Sequence, residues 1–264
     1  MVASWNVNSI RMRGQAVLDW LERTGCDVLC MQETKVVDDD FPREEFSRLG
    51  YSLALSGQPT YNGVAIASKW PIEDVRKGFV GTPAGDEKRI LSARIAGIRV
   101  VNVYVPNGKH VDADAFRYKL AWLERLRMNL NQYVAEKELL LCGDFNIARS
   151  EADVFDPQRM QGQLHFHPDE RRALEHVIDY GLVDSLRLFH EARGLYTWWD
   201  YRAGSFQKNR GLRIDYILLT EPLAKRCVGA GIDREERARP RPSDHAPLYV
   251  SLAPSSPSPR PAPN

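Results

Sequence analysis

The sequence is poor in cysteine: its 264 residues include four, and no two of them are spaced as a Cys-X-X-Cys pair. A disulfide framework and a structural zinc site both need paired or more numerous cysteines, so neither is expected. Three of the four cysteines lie inside apolar runs. We therefore expect buried, reduced thiols in a cytoplasmic protein.

A long apolar run is also absent, and so is a signal-like N-terminus. A membrane span needs about 20 apolar residues, and the first residues show no basic segment followed by an apolar one. We expect a protein that neither crosses a membrane nor is secreted. The net charge of +1 leaves nucleic acid open as a partner, because a local basic strip suffices for phosphate contact.

What the sequence does contain is an alternation of helix-like and strand-like segments. Helices are predicted at residues 10–24, with Ser9 as a candidate N-cap, and at 114–134 and 168–180. Strands are predicted at residues 2–6, 27–32, 51–56, 63–68, 90–95, 98–105, 139–142, 212–220 and 246–252. This order predicts an α/β fold, a four-layered α/β sandwich of two mixed β-sheets packed together and flanked by helices.

The end of the chain differs in composition from the rest. Residues 253–264 contain Ala, Pro, Ser, Arg and Asn alone, a set without large apolar side chains to bury. The preceding chain shows no internal repeat and no interior linker. We predict one domain at residues 1–252 and a disordered tail at 253–264.

Four acidic residues stand where the apolar runs of predicted strands stop. They are Glu33, Asp144, Asp215 and Asp244. An unpaired carboxylate is costly to bury, so each one taken alone is expected to be an exposed acid in a surface loop. Four in this position, each near other polar residues, favour a shared site instead.

Three amides and a histidine accompany these acids. They are Asn6, Asn8, Asn146 and His245. Side chains two residues apart on an extended segment point to the same side, so Asn6 and Asn8 are expected to face one pocket. Carboxylate and amide oxygens suit a hard cation, Mg²⁺ or alternatively Mn²⁺, whereas Zn²⁺ prefers cysteine and histidine. A lone histidine is by default a hydrogen-bonded core residue, but a neighbouring carboxylate favours a protonated ring that can contact a phosphate.

Six segments carry a resemblance to a known family. They are WNVNSIR at 5–11, QETK at 32–35, NVYVPNG at 102–108, GDFN at 143–146, the stretch 198–215, and SDHAP at 243–247. Together, and in this order, they resemble the exonuclease III family of abasic-site endonucleases, within the endonuclease/exonuclease/phosphatase superfamily. The resemblance spans residues 5–247, nearly the whole chain.

The resemblance implies a role for each matching residue. The implied catalytic residues are Asp144, His245, Tyr104, Asn146 and Asp215, and the implied metal-site residues are Glu33, Asn6, Asn8, Asp144, Asn146, Asp244 and His245. In these roles Asp144 positions and deprotonates the attacking water, His245 contacts the scissile phosphate, and Asp215 orients His245. Whether the site holds one or two metal ions stays open, because Asn8 stands where some relatives have an acid.

The resemblance also implies residues that meet DNA. An abasic sugar turned out of the helix needs a small apolar cavity, which Trp198, Leu212 and Ile214 would form; ordinary core packing is the alternative for each. The residues implied to contact DNA are Asn107, Lys35, Arg89, Arg202 and Arg210, and the nearby Lys208 and Arg213 are further candidates to hold backbone phosphates. A solvated charged face is the alternative for the basic ones.

The resemblance predicts a monomeric DNA-repair phosphodiesterase that incises the backbone 5′ to abasic sites. It would also remove 3′ phosphates and 3′-blocking groups and digest 3′ ends of double-stranded DNA. The alternatives are a 3′-end-specific phosphatase or exonuclease with weak abasic incision, a relative acting on RNA, phosphoinositides or protein-bound phosphate, and a non-catalytic DNA-binding module. The stretch 198–215 argues against the second alternative, and the intact set of acids, amides and histidine against the third.

Overall fold

The computed structural model describes residues 1–81 and 86–254. The strands are β1 Val2–Asn6, β2 Val28–Gln32, β3 Ser52–Ser56, β4 Val64–Ser68, β5 Ile72–Lys77, β6 Ile90–Ile95, β7 Ile98–Tyr104, β8 Leu139–Asp144, β9 Leu182–Asp184, β10 Asp215–Thr220, β11 Cys227–Ile232 and β12 Leu248–Leu252. The α-helices are α1 Ile10–Thr24, α2 Arg43–Arg48, α3 Asp114–Leu130, α4 Pro157–Met160, α5 Pro168–Ile178 and α6 Glu221–Ala224.

The strands form two six-stranded sheets. One has the order β11-β12-β1-β2-β4-β3 and the other β5-β6-β7-β8-β10-β9. Each sheet contains one parallel pair, β1 with β2 and β7 with β8, and its other neighbours are antiparallel. Both sheets are therefore mixed, as predicted.

Alternating side chains on the strands supply the layers. On β7, Val100 and Tyr104 belong to the core between the sheets, whereas Val101 and Val103 face the other way and pack with Leu126 and other residues of α3. Helix α5 contributes to the same outer core, and α1 covers the outer face of the first sheet. The predicted four-layered sandwich is confirmed.

A buried amide joins the two sheets near the ends of their strands. Asn102 of β7 has no exposed surface, and its Nδ2 donates to the carbonyls of Met31 and Ala65 in the first sheet, both at 2.9 Å. Its Oδ1 accepts a hydrogen bond from Gln32 Nε2 at 2.7 Å. Because an unmade buried hydrogen bond is costly, this set fixes how the sheets are placed against each other.

Ser9 occupies the predicted N-cap position of α1, but its hydroxyl does not cap the helix. Its side chain makes no capping hydrogen bond, and its φ is 89°. Its N–H donates instead to the carbonyl of Glu33 at 2.7 Å, and its own carbonyl accepts from Arg13 N at 3.1 Å. The turn before α1 is held by the chain around Glu33 rather than by the serine hydroxyl.

Strands β10 and β12 begin three and two residues later than predicted, at Asp215 and Leu248 rather than at 212 and 246. The residues just before them bond to the segment 197–198 instead. Leu212 and Trp198 exchange two backbone hydrogen bonds of 2.9 Å, and Ala246 N donates to the Thr197 carbonyl at 2.8 Å. Trp198 is thereby anchored beside the strand ends.

Other differences lie at the margins of the fold. Helix α3 ends at Leu130 rather than at 134 and continues as a 3₁₀ turn, Asn131–Tyr133. Strands β5, β9 and β11 were not predicted; β5 is mostly exposed, and β11 contains two glycines. Residues 255–264 of the predicted tail lie outside the described residues. None of the helices in the described ranges combines the length and apolar composition needed to cross a membrane.

Candidate active site

The centre of the site is a buried histidine between two carboxylates. Strand β10 runs antiparallel to β8 with Asp215 opposite Asp144. His245 Nδ1 lies 2.8 Å from Asp215 Oδ2, and its Nε2 lies 3.7 Å from Asp144 Oδ2. The exposed fraction is 1% for each aspartate and 4% for the histidine. These three predicted site residues are therefore brought together.

Burial and charge shift the protonation of this centre. Burial lowers the pKa of His245, but the charges of Asp215 and Asp144 outweigh that effect and raise the pKa to about 10. The pKa of Asp144 is raised to about 7, mainly by burial. The positive charge of His245 lowers this pKa, and the negative charge of Asp215 raises it further. At neutral pH the ring is an imidazolium, and Asp144 is poised to exchange a proton.

The hydroxyl of Thr197 holds the chain at Asp215. It accepts hydrogen bonds from the backbone N–H groups of Ile214 and Asp215 at 3.1 and 3.2 Å. One carboxylate oxygen of Asp215 binds His245, and the other, Oδ1, is buried without a hydrogen-bond partner among the described residues. That oxygen is an acceptor available inside the site.

The turn after β8 places Asp144 and Asn146 side by side. A Cβ on Gly143, whose φ is 143°, would lie 1.9 Å from the Val103 carbonyl oxygen, so glycine is required for β8 to pair with β7 here. Asn146 has a φ of 55°, and its N–H donates to Asp144 Oδ1 at 2.8 Å. Its Nδ2 donates to the Val105 carbonyl at 3.1 Å.

Asn6 connects Asp144 to Glu33. Its Nδ2 donates to Glu33 Oε1 at 2.8 Å and to Asp144 Oδ2 at 2.9 Å. Glu33 follows β2 with a φ of 51°, and its Oε2 lies 2.8 Å from Lys35 Nζ. The same ammonium donates to Asn8 Oδ1 at 2.6 Å, so Lys35 points into the site.

Asp244 forms the other side of this group. Its Oδ1 accepts from Asn8 Nδ2 at 2.9 Å, and its Oδ2 accepts from Trp198 Nε1 at 3.0 Å. Burial raises the pKa of Asp244, but His245 and these two donors outweigh it, and the net shift is downward. Asp244 is therefore ionised at neutral pH. It is connected to Glu33 through Asn8, whose Oδ1 binds the same Lys35 ammonium as Glu33.

The donor set of the site fits a divalent cation with oxygen ligands. Ligand atoms of Asp144, Asp215 and His245 all lie within 4.8 Å of one another. The protonated ring of His245 has no free lone pair, so the carboxylate oxygens are the donors of this group, and Glu33 is joined to Asp144 by the Asn6 amide. The oxygens of Glu33 and Asn8 already hold a positive charge, the Lys35 ammonium. Such an acidic cluster is typical of a metal site for a hard ion.

Tyr104 and Asn107 border the pocket. Burial, followed by the charges of Glu33 and Asp144, raises the pKa of Tyr104, so its hydroxyl remains a proton donor. The Arg89 guanidinium lies 4.8 Å from the centre of the Tyr104 ring. Asn107 is exposed, and its Nδ2 donates to Asn146 Oδ1 at 3.2 Å.

The basic residues predicted to meet DNA lie in different settings. Arg202 is on the surface and hydrogen-bonded to Asp200. Lys208 and Arg210 are exposed in the same loop. Arg213 is 1% exposed and bonds to Asp153 and Asp184, both at 2.7 Å. The expectation that Arg213 grips a phosphate was therefore wrong, because a buried ion network holds its guanidinium.

The three predicted pocket residues are neighbours. Leu212 and Ile214 are each 2% exposed, and they pack with Val154 and Phe166, while Trp198 is partly buried against the same cluster. The cluster adjoins the site through the bond from Trp198 to Asp244. Two of the three side chains thus offer little open surface, and Trp198 offers more.

Comparison with known proteins identifies the family of the chain. A model of the endonuclease/exonuclease/phosphatase family matches residues 3–245. The chain belongs to this family. It is 37% identical to exodeoxyribonuclease III of Haemophilus influenzae, covering 94% of this chain and 98% of that protein.

Solved structures of family members have the same fold. An AP endonuclease from Archaeoglobus fulgidus superimposes with a TM-score of 0.91 at 43% identity, covering 95% of this chain and 98% of that one. The 3′ phosphatase NExo from Neisseria, bound to a product DNA hairpin, superimposes with a TM-score of 0.93 at 38% identity, covering 95% of this chain and 98% of that one. The family fold therefore extends over nearly the whole chain.

Several polar residues of the site were not predicted from the sequence. Thr197 supports Asp215, as described above. His165 Nδ1 lies 2.6 Å from the Asn146 carbonyl, and burial lowers the pKa of this histidine to about 3, so it is neutral. The carbonyl of Asn146 also accepts from Lys119 Nζ, which is paired with Glu170. The helical spacing around Lys119 marks a polar position of α3 and gives no sign that it is buried.

The charged state of His245 generates a prediction for the metal-free protein. Since its pKa is raised, the ring stays doubly protonated through neutral pH, and the stabilisation it gives is complete below about pH 6.5 and lost as the pH rises through about 10. Asp215→Asn removes the main attraction and lowers the pKa toward 6.5. Nitrogen-15 NMR of the imidazole rings measures the protonation of His245 in the unaltered protein and in Asp215→Asn, and the neutral His165 serves as internal control. A neutral His245 at pH 7 in the unaltered protein would contradict this assignment.

Proposed function

We propose that this protein is a metal-dependent DNA-repair nuclease. It incises the backbone 5′ to abasic sites, removes 3′ phosphates and other 3′-blocking groups, and digests 3′ ends of double-stranded DNA. The observation that carries this proposal is the buried group of Asp144, His245 and Asp215 beside Glu33. The names of the relatives, an exodeoxyribonuclease III, an AP endonuclease and a 3′ phosphatase, support it.

The residues of this group divide the chemistry of phosphodiester hydrolysis. Asp144 orients the attacking water and accepts its proton. His245 is cationic and contacts a non-bridging oxygen of the phosphate, where negative charge increases in the transition state. Asp215 keeps the ring in place and charged. Tyr104, Asn146 and Asn107 serve as hydrogen-bond donors to the phosphate.

Glu33 is the principal carboxylate for the cation, with Asn6, Asn8 and Asp244 around the same ion or its waters. Asp144, Asn146 and His245 border that position. When bound, the ion polarises a phosphoryl oxygen. Mg²⁺ is the expected metal, because the donors are oxygens and Mg²⁺ retains several waters; Mn²⁺ accepts the same donors.

The substrate is DNA carrying abasic sites or blocked 3′ ends. Arg202 and Arg210 extend from the exposed loop beside Trp198 and contact phosphates along the backbone. Lys35 and Arg89 are paired with Glu33 and Glu87, so each exchanges a carboxylate for a phosphate when DNA binds.

Residues 1–252 act as one catalytic domain, and the protein works as a monomer in the cytoplasm. The monomer is supported by the site, since every residue assigned to it comes from one chain. The cytoplasmic location is supported by the cysteines, all four of which are free, as is usual for proteins in a reducing compartment.

A second candidate function is that of a 3′-end-specific phosphatase or exonuclease with weak abasic incision. The observation that favours it is the burial of Leu212 and Ile214 against Val154 and Phe166. Side chains packed in this way offer little surface to a sugar turned out of the helix. Trp198 then supplies most of the contact with the lesion, and discrimination depends on it.

Asp144→Asn tests the role of the base. The change keeps the size of the side chain but removes its ability to accept a proton, so cleavage of an abasic duplex should fall about 10³-fold, while binding to that duplex is retained. Gel assays and fluorescence anisotropy measure the two effects. Asp179→Asn, at an exposed position after α5, should change the rate less than about twofold. If the Asp144→Asn protein cleaves at a rate comparable to that of the wild-type protein, Asp144 is not the base.

Removal of the metal tests the site around Glu33. EDTA should abolish internal cleavage and 3′ trimming together, and Mg²⁺ should restore both. Glu33→Gln should raise the Mg²⁺ concentration for half-maximal rate by about tenfold or more. The assay uses one abasic duplex and one duplex with a 3′ phosphate, titrated with Mg²⁺. Cleavage that persists in EDTA would contradict the whole cation assignment.

Trp198 variants separate the two candidate functions. Trp198→Ala removes the ring, so abasic incision should fall about tenfold further than 3′ trimming, given that base-sized stacking contacts contribute about 1–3 kcal/mol. Trp198→Phe keeps a ring but removes the N–H that binds Asp244, so both activities should fall together. If Trp198→Ala lowers abasic incision and 3′ trimming equally, the role of Trp198 is structural. A wild-type protein that trims 3′ ends but leaves the abasic site uncut would favour the second candidate.

A further inference from the structure

Lys119 is a buried cation placed directly behind the phosphate-facing amides. Its side chain, on α3, has no exposed surface. Its Nζ donates to the carbonyl of Asn146 at 2.7 Å and to the carbonyl of Asn107 at 3.2 Å, and it forms an ion pair with Glu170. An ammonium has three N–H donors, and these three acceptors account for all of them.

Glu170 is itself held at the beginning of α5. Its Oε2 accepts from the backbone N–H of His167 at 3.1 Å, as part of the capping box of that helix. It is fully buried, like Lys119. The pair therefore connects two helices of the outer layer and gives the ammonium one fixed position, since a buried charge needs its partner.

Neutralising Glu170 would not by itself require Lys119 to bind the carbonyls of Asn107 and Asn146. They connect the loop after β7, which carries Asn107, with the loop after β8, which carries Asn146. Gly108 lets the first loop lie against the lysine: its φ is 93°, and a Cβ there would be 3.2 Å from Lys119 Cδ. The two loops are thus fixed to one atom, Nζ.

From Asn146 the connection continues to the reacting groups. The N–H of Asn146 donates to Asp144 Oδ1 at 2.8 Å, and its Oδ1 accepts from Asn107 Nδ2 at 3.2 Å. A shift of the Asn146 backbone would therefore displace both amides and turn the carboxylate of Asp144. Displacements of about 1 Å in an active site cost about 100-fold in rate.

We propose that Lys119 is a positioning residue for phosphodiester hydrolysis, which acts through Asn146 on the geometry of Asp144 and of the phosphate-binding amides. This inference rests on the proposed function. The alternative is a structural ion pair, in which Lys119 serves only to neutralise Glu170.

Two variants distinguish these roles. Lys119→Met/Glu170→Gln removes both charges, so a purely structural pair would lose little function. We expect kcat on a 3′-phosphate duplex to fall about 100-fold, with KM changed less than about threefold. Glu170→Gln removes the negative charge but keeps an amide oxygen that can accept from Nζ in the same place, so the lysine should retain its two carbonyl contacts. We expect kcat to stay within about threefold of wild type although the melting temperature falls.

A double-mutant cycle tests whether Lys119 acts on the geometry of Asp144. The contacts of Lys119 and Asp144 with Asn146 are made by its backbone, so the second change is placed at Asp144. Lys119→Met should lower kcat about 100-fold in the wild-type background but less than about fivefold in Asp144→Asn, because the position of a side chain that no longer accepts a proton has little further effect on the rate. Arg99→Met is the matched control: Arg99 is fully buried and ion-paired with Asp74 and Glu136 at the other end of β7. It should lower stability and leave kcat within about threefold.

NMR gives a readout that does not depend on turnover. The side-chain amide signals of Asn107 and Asn146 should shift in Lys119→Met and stay in place in Arg99→Met. The inference would be overturned by any of three results: amide signals that do not shift, a wild-type kcat in Lys119→Met/Glu170→Gln, or additive effects in the double-mutant cycle. A wild-type protein that cleaves neither DNA substrate would count against the proposed function, and the amide signals would still decide the role of Lys119.

Discussion

His245 is buried between Asp215 and Asp144, and the charges of these groups are withdrawn from water. Burial of an ion costs several kcal/mol unless partners compensate for it. Here the partners include Asn6 Nδ2 and the N–H of Asn146, both bonded to Asp144. Because the partners come from distant parts of the chain, the charges are compensated only when both sheets have assembled.

The topology of the two sheets satisfies this requirement at one edge. In each sheet the parallel pair ends in polar residues: β1 and β2 lead to Asn6 and Glu33, and β7 and β8 lead to Tyr104 and Asp144. Strand β10 runs in the opposite direction, so it contributes its first residue, Asp215, at the same edge. The hydrogen bond from Asn6 to Asp144 then joins the two sheets at the candidate site.

The layers and the acidic residues were predictable from the sequence because both leave local signals, apolar alternation and an acid that stops an apolar run. Partners distant in sequence leave no such signal. Arg213 follows a leucine in a strand-like segment, and nothing nearby shows that Asp153 and Asp184 neutralise it in the core. Lys119 and Glu170 look like solvent-facing positions of amphipathic helices, and their burial depends on how α3 and α5 pack together. The sequence therefore indicated the acids and the histidine that meet in the candidate site better than the residues that hold them in place.

The same reasoning explains how one fold can serve an exodeoxyribonuclease, an AP endonuclease and a 3′ phosphatase. The residues proposed to carry out the reaction are buried and bonded to one another, so they tolerate little change. The segment around Trp198 lies at their border, with its indole N–H bonded to Asp244 and its ring packed beside Leu212 and Ile214. Under the proposed function, we expect residues packed against the outer side of that ring to decide which DNA end fits, whereas loss of the indole N–H removes a donor from Asp244 and should lower every activity. We therefore expect specificity to vary through this segment only where the bond to Asp244 is preserved.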